Sequence, residues 1–132
     1  MLDQVSISLP CKSEYVSISR LSSSVIASQM GFDIEAIEDI KVAVGEACNN
    51  AIIHSHCDRT FDITFKVMEQ AFVCEVSDCG NGFDLEGYNE PDLEDPKGNG
   101  LGIFIMKSLM DEVIVDTLPG KGTKIVLKKH LE

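Results

Sequence analysis

Residues 46 to 55 read EACNNAIIHS, and they end a longer segment in which apolar residues return every three or four positions. This spacing predicts an amphipathic helix that runs from Asp33, a residue able to cap its N-terminus, to about Ser55. The side chains predicted to face the core are Ile37, Ile40, Val44, Cys48 and Ala51. The segment therefore predicts a long helix with one buried stripe and a separate polar side.

The segments before this helix predict a strand and a further helix. Near the N-terminus, Val5, Ile7 and Leu9 alternate with serines, a pattern that is typical of a half-buried strand. Apolar residues then recur at helical spacing over residues 13–30, and Gly31 follows as a helix-ending residue. The chain therefore begins with a strand and then a helix.

The segments after residue 55 predict a hairpin, a short helix and two more strands. The predicted elements are strands 61–67 and 71–78 with a tight turn between them, helix 101–110, and strands 113–117 and 123–129. Strands precede and follow helices without regular βαβ alternation. This order favours an α+β two-layer sandwich, a mixed and mostly antiparallel sheet with helices on one face. We expect residues 1–132 to form one domain.

The composition disfavours several classes of protein. Eleven basic and twenty-two acidic side chains give a net charge of −11, which opposes the phosphate contacts that dominate nucleic-acid affinity. The five cysteines are odd in number and include no CxxC pair, so neither a disulfide framework nor a zinc site is expected. No apolar run approaches the roughly 20 residues of a membrane span, and no secretion signal is recognisable. We therefore expect a cytoplasmic protein with reduced thiols and without membrane or direct nucleic-acid contacts.

The polar side of the long helix carries three residues at four-residue intervals. Glu46, Asn50 and His54 share one side, about 200° away from Val44 and Cys48 at ~100° per residue. A carboxylate four residues before an amide suits a general base beside an Mg²⁺ ligand, because hard cations prefer oxygen donors. An ordinary solvated helix face would show the same spacing, so this pattern alone leaves both interpretations open.

Two glycine-rich segments can bring backbone close to a ligand. Residues 78–82, DCGNG, follow a predicted strand, and the carboxylate of Asp78 can accept a hydrogen bond from an exocyclic amine. Residues 98–102, GNGLG, open the short helix, whose free N–H groups and positive dipole end suit a polyphosphate. A simple turn and a hinge without ligand are the alternatives. The acidic segment between them, with Lys97 as its only cation, is expected to form a functional lid.

Taken in chain order, four motifs resemble those of one superfamily. They are ExxxNAxxH at 46–54, DxGxG at 78–82, GxGLG at 98–102 and GT at 122–123. These resemble the N box, G1 box, G2 box and closing Gly-Thr of the GHKL ATPases, which implies the Bergerat type of ATP-binding fold. The form EACNNAIIHS and the short chain further resemble the anti-sigma-factor serine/threonine protein kinases.

The resemblance implies a role for each matching residue. Glu46 would deprotonate a serine or threonine hydroxyl, and Asn50 would bind the Mg²⁺ that bridges the phosphates of ATP. Asp78 would accept a hydrogen bond from the adenine amino group, and Thr123 would support adenine through its hydroxyl and a water. The residues implied to shape the adenine pocket or to hold phosphate are Gly80, Gly82, Lys97, Gly98, Gly100, Leu101 and Gly102. His54 would face phosphate or satisfy the helix end.

The resemblance also implies partners. The expected activity is an ATP- and Mg²⁺-dependent kinase that phosphorylates a STAS-type anti-anti-sigma protein and otherwise sequesters a sigma factor. A homodimer is implied, and Arg20 resembles a residue by which such kinases contact partners. The alternatives are a switch kinase that binds no sigma factor, a nucleotide-gated binding module without phosphotransfer, and a detached histidine-kinase catalytic domain. Glu46 disfavours the binding module, which would need no base.

Overall fold

The structure, a computed structural model, describes residues 2–55, 60–78, 101–118 and 122–131. Its elements are β1 (Asp3–Pro10), α1 (Val16–Met30), α2 (Ile34–Ser55), β2 (Thr60–Val67), β3 (Ala71–Asp78), α3 (Leu101–Leu109), β4 (Glu112–Leu118) and β5 (Gly122–His130). A 3-10 turn, Ser13–Tyr15, precedes α1. No helix in these ranges carries an apolar stretch of the length that spans a bilayer.

The strands form one sheet of five, in the order β1-β2-β3-β5-β4. All pairings among these strands are antiparallel, including the predicted hairpin of β2 and β3. Inward-facing side chains of β3, β5 and β4 line up in rows across the sheet. The rows are Cys74–Leu127–Val113 and Val76–Ile125–Val115. These rows and the three helices share one core, which confirms the predicted two-layer α+β sandwich.

Helix α2 lies between α1 and α3 and packs on β3 and β5. Its first turn is capped as predicted, because the Ala36 N–H donates to the Asp33 carboxylate at 2.8 Å. In the predicted stripe, Ile40, Val44 and Cys48 have no exposed surface. Complete burial of aliphatic side chains such as Ile40 and Val44 contributes roughly 1.5–3 kcal/mol each. The stripe therefore fixes the rotation of α2 and with it the direction of the polar side.

Helix α1 ends where glycine was predicted to end it. Gly31 has a φ of +99°, its N–H donates to the Ser28 carbonyl at 3.1 Å, and the Phe32 N–H donates to the Ala27 carbonyl at 3.2 Å. These bonds form a Schellman motif, in which the left-handed residue is usually glycine because it lacks Cβ. Because α1 ends in this tight turn, the chain continues directly into the capped first turn of α2.

The buried face of α1 is more polar than its apolar spacing suggests. Ser19 and Ser23 are fully buried, and their hydroxyls donate to the Val16 and Arg20 carbonyls at 2.6 and 2.7 Å. The apolar side chains at Ile18, Leu21 and Val25 are exposed instead. Small serines that bond within their own helix allow α1 to pack closely on α2 without unsatisfied groups.

None of the three cysteines that the structure describes, Cys11, Cys48 and Cys74, forms a disulfide. Burial raises the pKa of the Cys48 thiol to about 11, although its hydrogen bond with Ser19 and the charge of Arg20 act in the opposite direction. Burial also raises the pKa of Cys74 well above its ordinary value. Both side chains are therefore neutral thiols of the core near neutral pH. The predictions for Cys57 and Cys79 fall outside the described residues.

Candidate active site

Glu46 and Asn50 converge on the first turn of α3. A Cβ placed on Gly102 would lie 3.1 Å from Glu46 Oε2 and 3.4 Å from Asn50 Oδ1. Both side chains are half-buried rather than fully solvated. The polar side of α2 is thus not an ordinary solvent face, because α3 packs against it. The structure brings together three of the residues that the sequence singled out.

Gly102 allows this approach because it has no side chain. A carbon 3.1 Å from a carboxylate oxygen is closer than van der Waals contact normally permits, so any other residue would push Glu46 or α3 aside. Leu101 and Gly102 form the beginning of α3, where backbone N–H groups have no partner within the helix and the dipole is positive. A carboxylate, an amide and this positive helix end therefore meet at one place.

A second polar group lies at the end of the sheet. Asp78 is directly opposite Thr123 on β5, and Thr123 is opposite Thr117 on β4. These three residues continue the inward-facing rows of the core by one step, so they lie on the face that the helices cover. Thr123 is only 6% exposed, and its hydroxyl is 2.8 Å from the hydroxyl of Thr117. The apolar rows therefore end in a polar row.

The two groups lie on the same side of the sheet. Because α2 packs on β3 and β5, the helix that carries Glu46 covers the strands that carry Asp78 and Thr123. An adenine at the polar row and phosphates at the α3 N-terminus would therefore share one layer of the fold. The predictions for Gly80, Gly82, Lys97, Gly98 and Gly100, and for the lid, fall outside the described residues, as does the side chain of His54.

These residues fit ATP and Mg²⁺ chemically. The first turn of α3 is a cradle that a single Cβ would fill, and it offers N–H donors to an anion. The amide oxygen of Asn50 is a hard donor that suits Mg²⁺. No cluster of three or more acidic, His or Cys side chains in the described ranges could hold a metal. Mg²⁺ bound with a nucleotide keeps several waters and phosphate oxygens in its shell, so a single amide oxygen from the protein is chemically compatible with it.

Sequence reasoning missed Gly45, which lies beside the site. A Cβ on Gly45 would come within 2.9 Å of Nη2 and 3.1 Å of Cζ of Arg20, so the guanidinium of α1 rests on the backbone of α2. This contact is one residue before Glu46. A glycine inside a long helix lowers helix stability by about 1 kcal/mol relative to alanine. A glycine within the predicted helix was therefore the feature of the sequence that could have indicated this contact.

Sequence reasoning also missed Thr117. Its pairing with Thr123 follows only once the hairpin register of β4 and β5 is known, with Leu118 opposite Gly122. The threonine itself fits any half-buried strand, so its type carried little information.

A separate cavity of about 500 Å³ lies at the other end of α2. Its lining includes Asp33, Asp39, Asp111 and Lys129, and none of the predicted site residues. Glu46 is more than three helical turns from the start of α2, roughly 18 Å at 1.5 Å per residue. This cavity is therefore distinct from the convergence of Glu46, Asn50 and Gly102.

Comparisons with known proteins show which family the chain is similar to. The family model described as the histidine kinase-like ATPase domain matches residues 9–129. A protein of Listeria monocytogenes serotype 4a named serine-protein kinase RsbW is 37% identical, over 99% of this chain and 89% of that protein. A protein of the same name from Oceanobacillus iheyensis is 34% identical, over 98% of this chain and 87% of its own length.

Two solved structures share the fold. The crystal structure of the RsbU and RsbW domains of a Mycobacterium tuberculosis protein superposes with a TM-score of 0.75 at 18% identity. The match covers 98% of this chain and 32% of that longer chain. The histidine kinase domain of a blue-light activated kinase from Erythrobacter litoralis gives a TM-score of 0.59 at 22% identity, over 92% of this chain and 61% of that one.

Proposed function

Because this chain belongs to the family of histidine kinase-like ATPase domains, we propose that it is an ATP-dependent serine/threonine-protein kinase. The relatives reported above are named serine-protein kinases, which supports this proposal. The observation that carries this proposal is the approach of Glu46 and Asn50 to the backbone of Gly102. This approach supports the proposal because a carboxylate, an amide oxygen of the kind that binds Mg²⁺ and the first turn of α3 lie close together. Those are the groups that phosphoryl transfer requires, since its catalysis is mostly positioning and charge stabilisation.

In the proposed reaction Glu46, Asn50 and the first turn of α3 have different roles. Glu46 accepts the proton of a substrate serine or threonine hydroxyl, whose oxygen forms a bond to the γ-phosphorus of ATP. The bond from that phosphorus to the bridging oxygen breaks, and ADP leaves with the electron pair. Asn50 would hold Mg²⁺, which supplies charge neutralisation on the phosphates when bound. The N–H groups at the start of α3 orient the phosphate oxygens.

The polar row at the end of the sheet, which includes Asp78 and Thr123, would recognise the adenine base. A carboxylate accepts hydrogen bonds only, so Asp78 suits the amino group of adenine. Thr123 is adjacent on β5 and supplies a hydroxyl within the same layer. We also propose that six further residues shape the adenine pocket or hold phosphate: Gly80, Gly82, Lys97, Gly98, Gly100 and Leu101.

The partners are also part of the proposal. We propose a STAS-type anti-anti-sigma protein as substrate and a sigma factor as the sequestered partner, in the cytoplasm and with the kinase as a homodimer. The support is the resemblance of EACNNAIIHS and of the full set of motifs to the anti-sigma-factor kinases. The net charge of −11 favours protein partners over nucleic acid.

The decisive experiment is phosphate transfer from radiolabelled ATP with Mg²⁺ to a candidate STAS protein. Glu46→Gln should lower the transfer rate about 100-fold or more, the usual contribution of a general base, while ATP binding persists. Acid-stable label on serine or threonine supports the proposal, whereas acid-labile label would indicate a histidine-kinase domain.

Glu38→Gln is the matched control, because Glu38 is an exposed carboxylate on the same helix and pairs only weakly with Lys41 at 3.2 Å. It should transfer phosphate at the wild-type rate. Equal transfer by wild type and Glu46→Gln would contradict the base assignment. A kinase that phosphorylates the STAS protein but captures no sigma factor in a pull-down would be the switch kinase without a sigma partner.

A further inference from the structure

Helix α2 carries two exposed apolar residues on the same side as Glu46. Val42 is 45% exposed and Ile53 is 63% exposed. At ~100° per residue both lie within about 40° of Glu46 around the helix axis, about one turn before it and about two turns after it. This surface, defined by Val42, Glu46 and Ile53, is the acceptor strip.

Helix α3 lies on one side of the acceptor strip. Its first turn approaches Glu46 and Asn50 at Gly102, where an added Cβ would be 3.1 and 3.4 Å from their side-chain oxygens. Asn50 is rotated about 40° from Glu46 toward α3, whereas Val42 and Ile53 are rotated in the opposite direction, by about 40° and about 20°. The two apolar residues therefore lie on the side of Glu46 that faces away from α3.

Helix α1 bounds the acceptor strip on its other side. The guanidinium of Arg20 lies against Gly45, which is buried, with Nη2 2.9 Å from an added Cβ. Between this contact and the contact with α3, the strip covers roughly a third of the circumference of α2. A segment of a substrate that lies along the strip therefore contacts Val42, Glu46 and Ile53 together.

We propose that Val42 and Ile53 are specificity-determining residues, which bind apolar side chains of the protein substrate on either side of its serine or threonine acceptor. This inference rests on the proposed function, because Glu46 is the base that receives the acceptor hydroxyl. At 1.5 Å per residue, Val42 is about 6 Å and Ile53 about 10 Å from Glu46 along the axis. An extended chain advances roughly 3.3 Å per residue, so the apolar residues lie within about four positions of the acceptor.

The chemistry of the strip favours apolar side chains in the substrate. Val42 and Ile53 offer no hydrogen-bonding partner, so a charged or polar side chain buried against them would lose its hydration without compensation. An acidic side chain would also be repelled by Glu46 and by the net charge of −11. Apolar side chains gain free energy from the same burial. They also exclude water, which would compete with the substrate hydroxyl for the phosphate.

The test is steady-state phosphate transfer from ATP with Mg²⁺ to a STAS protein whose concentration is varied. Val42→Ser should raise the KM for this substrate about fivefold and Ile53→Ser about tenfold, because the apolar area buried by each contact is lost. The kcat and the KM for ATP should stay within about twofold of wild type. The two residues are roughly 16 Å apart, so the double variant should raise the KM by the product, about 50-fold.

Ile34→Ser is the matched control. Ile34 is 80% exposed on the same helix, but it lies roughly 18 Å from Glu46 along the axis. This variant should keep the wild-type kcat and KM. Val42→Ile and Ile53→Val retain an apolar surface and should keep the KM within about threefold. Val42→Thr and Ile53→Thr are further polar variants with a β-branched shape, in case a serine variant does not fold.

The substrate provides a reciprocal test. Serine replaces, one at a time, each residue of the STAS protein within four positions of its acceptor. At least one apolar position on each side should raise the KM of the wild-type kinase about tenfold. The same replacement should add less than about twofold when the kinase already carries the serine at the contacting residue, because that contact is absent in both cases.

The outcomes separate this inference from the proposed function. The substrate-binding role would be overturned by an unchanged KM in the polar variants, by a loss of kcat alone, or by an equal rise in KM for Ile34→Ser. Each of these results would leave the kinase proposal standing. A wild-type chain that transfers no phosphate to serine or threonine of the STAS protein would overturn both.

Discussion

Gly31 and Gly102 are glycines for different physical reasons. At Gly31 an added Cβ would meet no atom within 4 Å, but the φ of +99° is one that other residues rarely adopt. At Gly102 the obstacle is an occupied space, because the added Cβ would lie 3.1 Å from Glu46 Oε2. The first glycine therefore serves folding, and the second serves the arrangement of the site.

Gly102→Ala should lower phosphate transfer at least tenfold while leaving the free energy of unfolding near the wild-type value. Displacement of Glu46 or Asn50 by a few tenths of an ångström spoils alignment with the acceptor, and catalysis is sensitive to such shifts. Alanine also has a higher helix propensity, which offsets the cost of the contact. Steady-state kinetics and urea denaturation of the same preparation measure both quantities.

Gly31→Ala is the opposite case and serves as the control. It should cost about 1 kcal/mol of stability, because a left-handed conformation is unfavourable for alanine, and it should transfer phosphate normally. Wild-type kinetics for Gly102→Ala would contradict the importance of the close approach.

At the scale of elements, α2 was predictable and the buried face of α1 was not. The stripe of α2 follows from spacing within one helix, and so does the alignment of Glu46 with Asn50. In α1 Leu21 and Val25 are exposed while Ser19 and Ser23 are buried, so the apolar spacing does not by itself identify the buried face. The buried face is decided by close packing on α2, a contact between elements that no local pattern specifies.

The same distinction applies to the site. Asp78 and Gly102 could be singled out because their motifs are local, and the structure places them at the predicted ends of β3 and α3. Gly45 depends on how α1 crosses α2, and Thr117 depends on the register of β4 against β5. Contacts between two elements are set by packing geometry, which the sequence does not state directly.

The outer face of the sheet carries an ion-pair group that links three strands. Glu75 on β3 contacts Lys66 on β2 and, at 2.6 Å, Lys124 on β5. Hydrogen bonds from Lys124 and Lys66 lower the pKa of Glu75 below its ordinary value. Because the folded pKa is depressed, this group stabilises the fold above the unfolded pKa and loses its effect as the pH falls through the folded pKa.

Glu75→Gln should therefore cost about 0.5–1 kcal/mol of unfolding free energy at pH 7, discounted for the partial exposure of the lysines. The difference in unfolding free energy between wild type and variant should shrink progressively below about pH 4.5, the ordinary pKa of the carboxyl in the unfolded chain. Urea denaturation of both proteins at pH 7 and at lower pH values measures this difference. A difference that stays constant on acidification would show that the glutamine acts through packing and not through charge.

On the scale of the whole molecule, a nucleotide would join parts that are distant in the chain. The proposed phosphate groups belong to α2 and α3, and the proposed base groups belong to β3, β4 and β5. A ligand that contacts both groups binds only the folded state. Its binding therefore stabilises the entire domain by RT ln(1 + L/Kd), where L is the free ligand concentration.

ATP with Mg²⁺ at about 100 times its dissociation constant should raise the unfolding free energy by about 2.7 kcal/mol, and the melting temperature by roughly 10 °C for a domain of this size. Asn50→Ala should lose the part of this shift that depends on Mg²⁺, because the remaining contacts do not hold the cation. Asn49→Ala, a change of the adjacent amide that lacks the four-residue spacing from Glu46, should keep the complete shift. If Asn50→Ala and Asn49→Ala respond equally to Mg²⁺, the cation is not held by Asn50. The approach of that side chain to Gly102 would then reflect only the packing of α3 on α2.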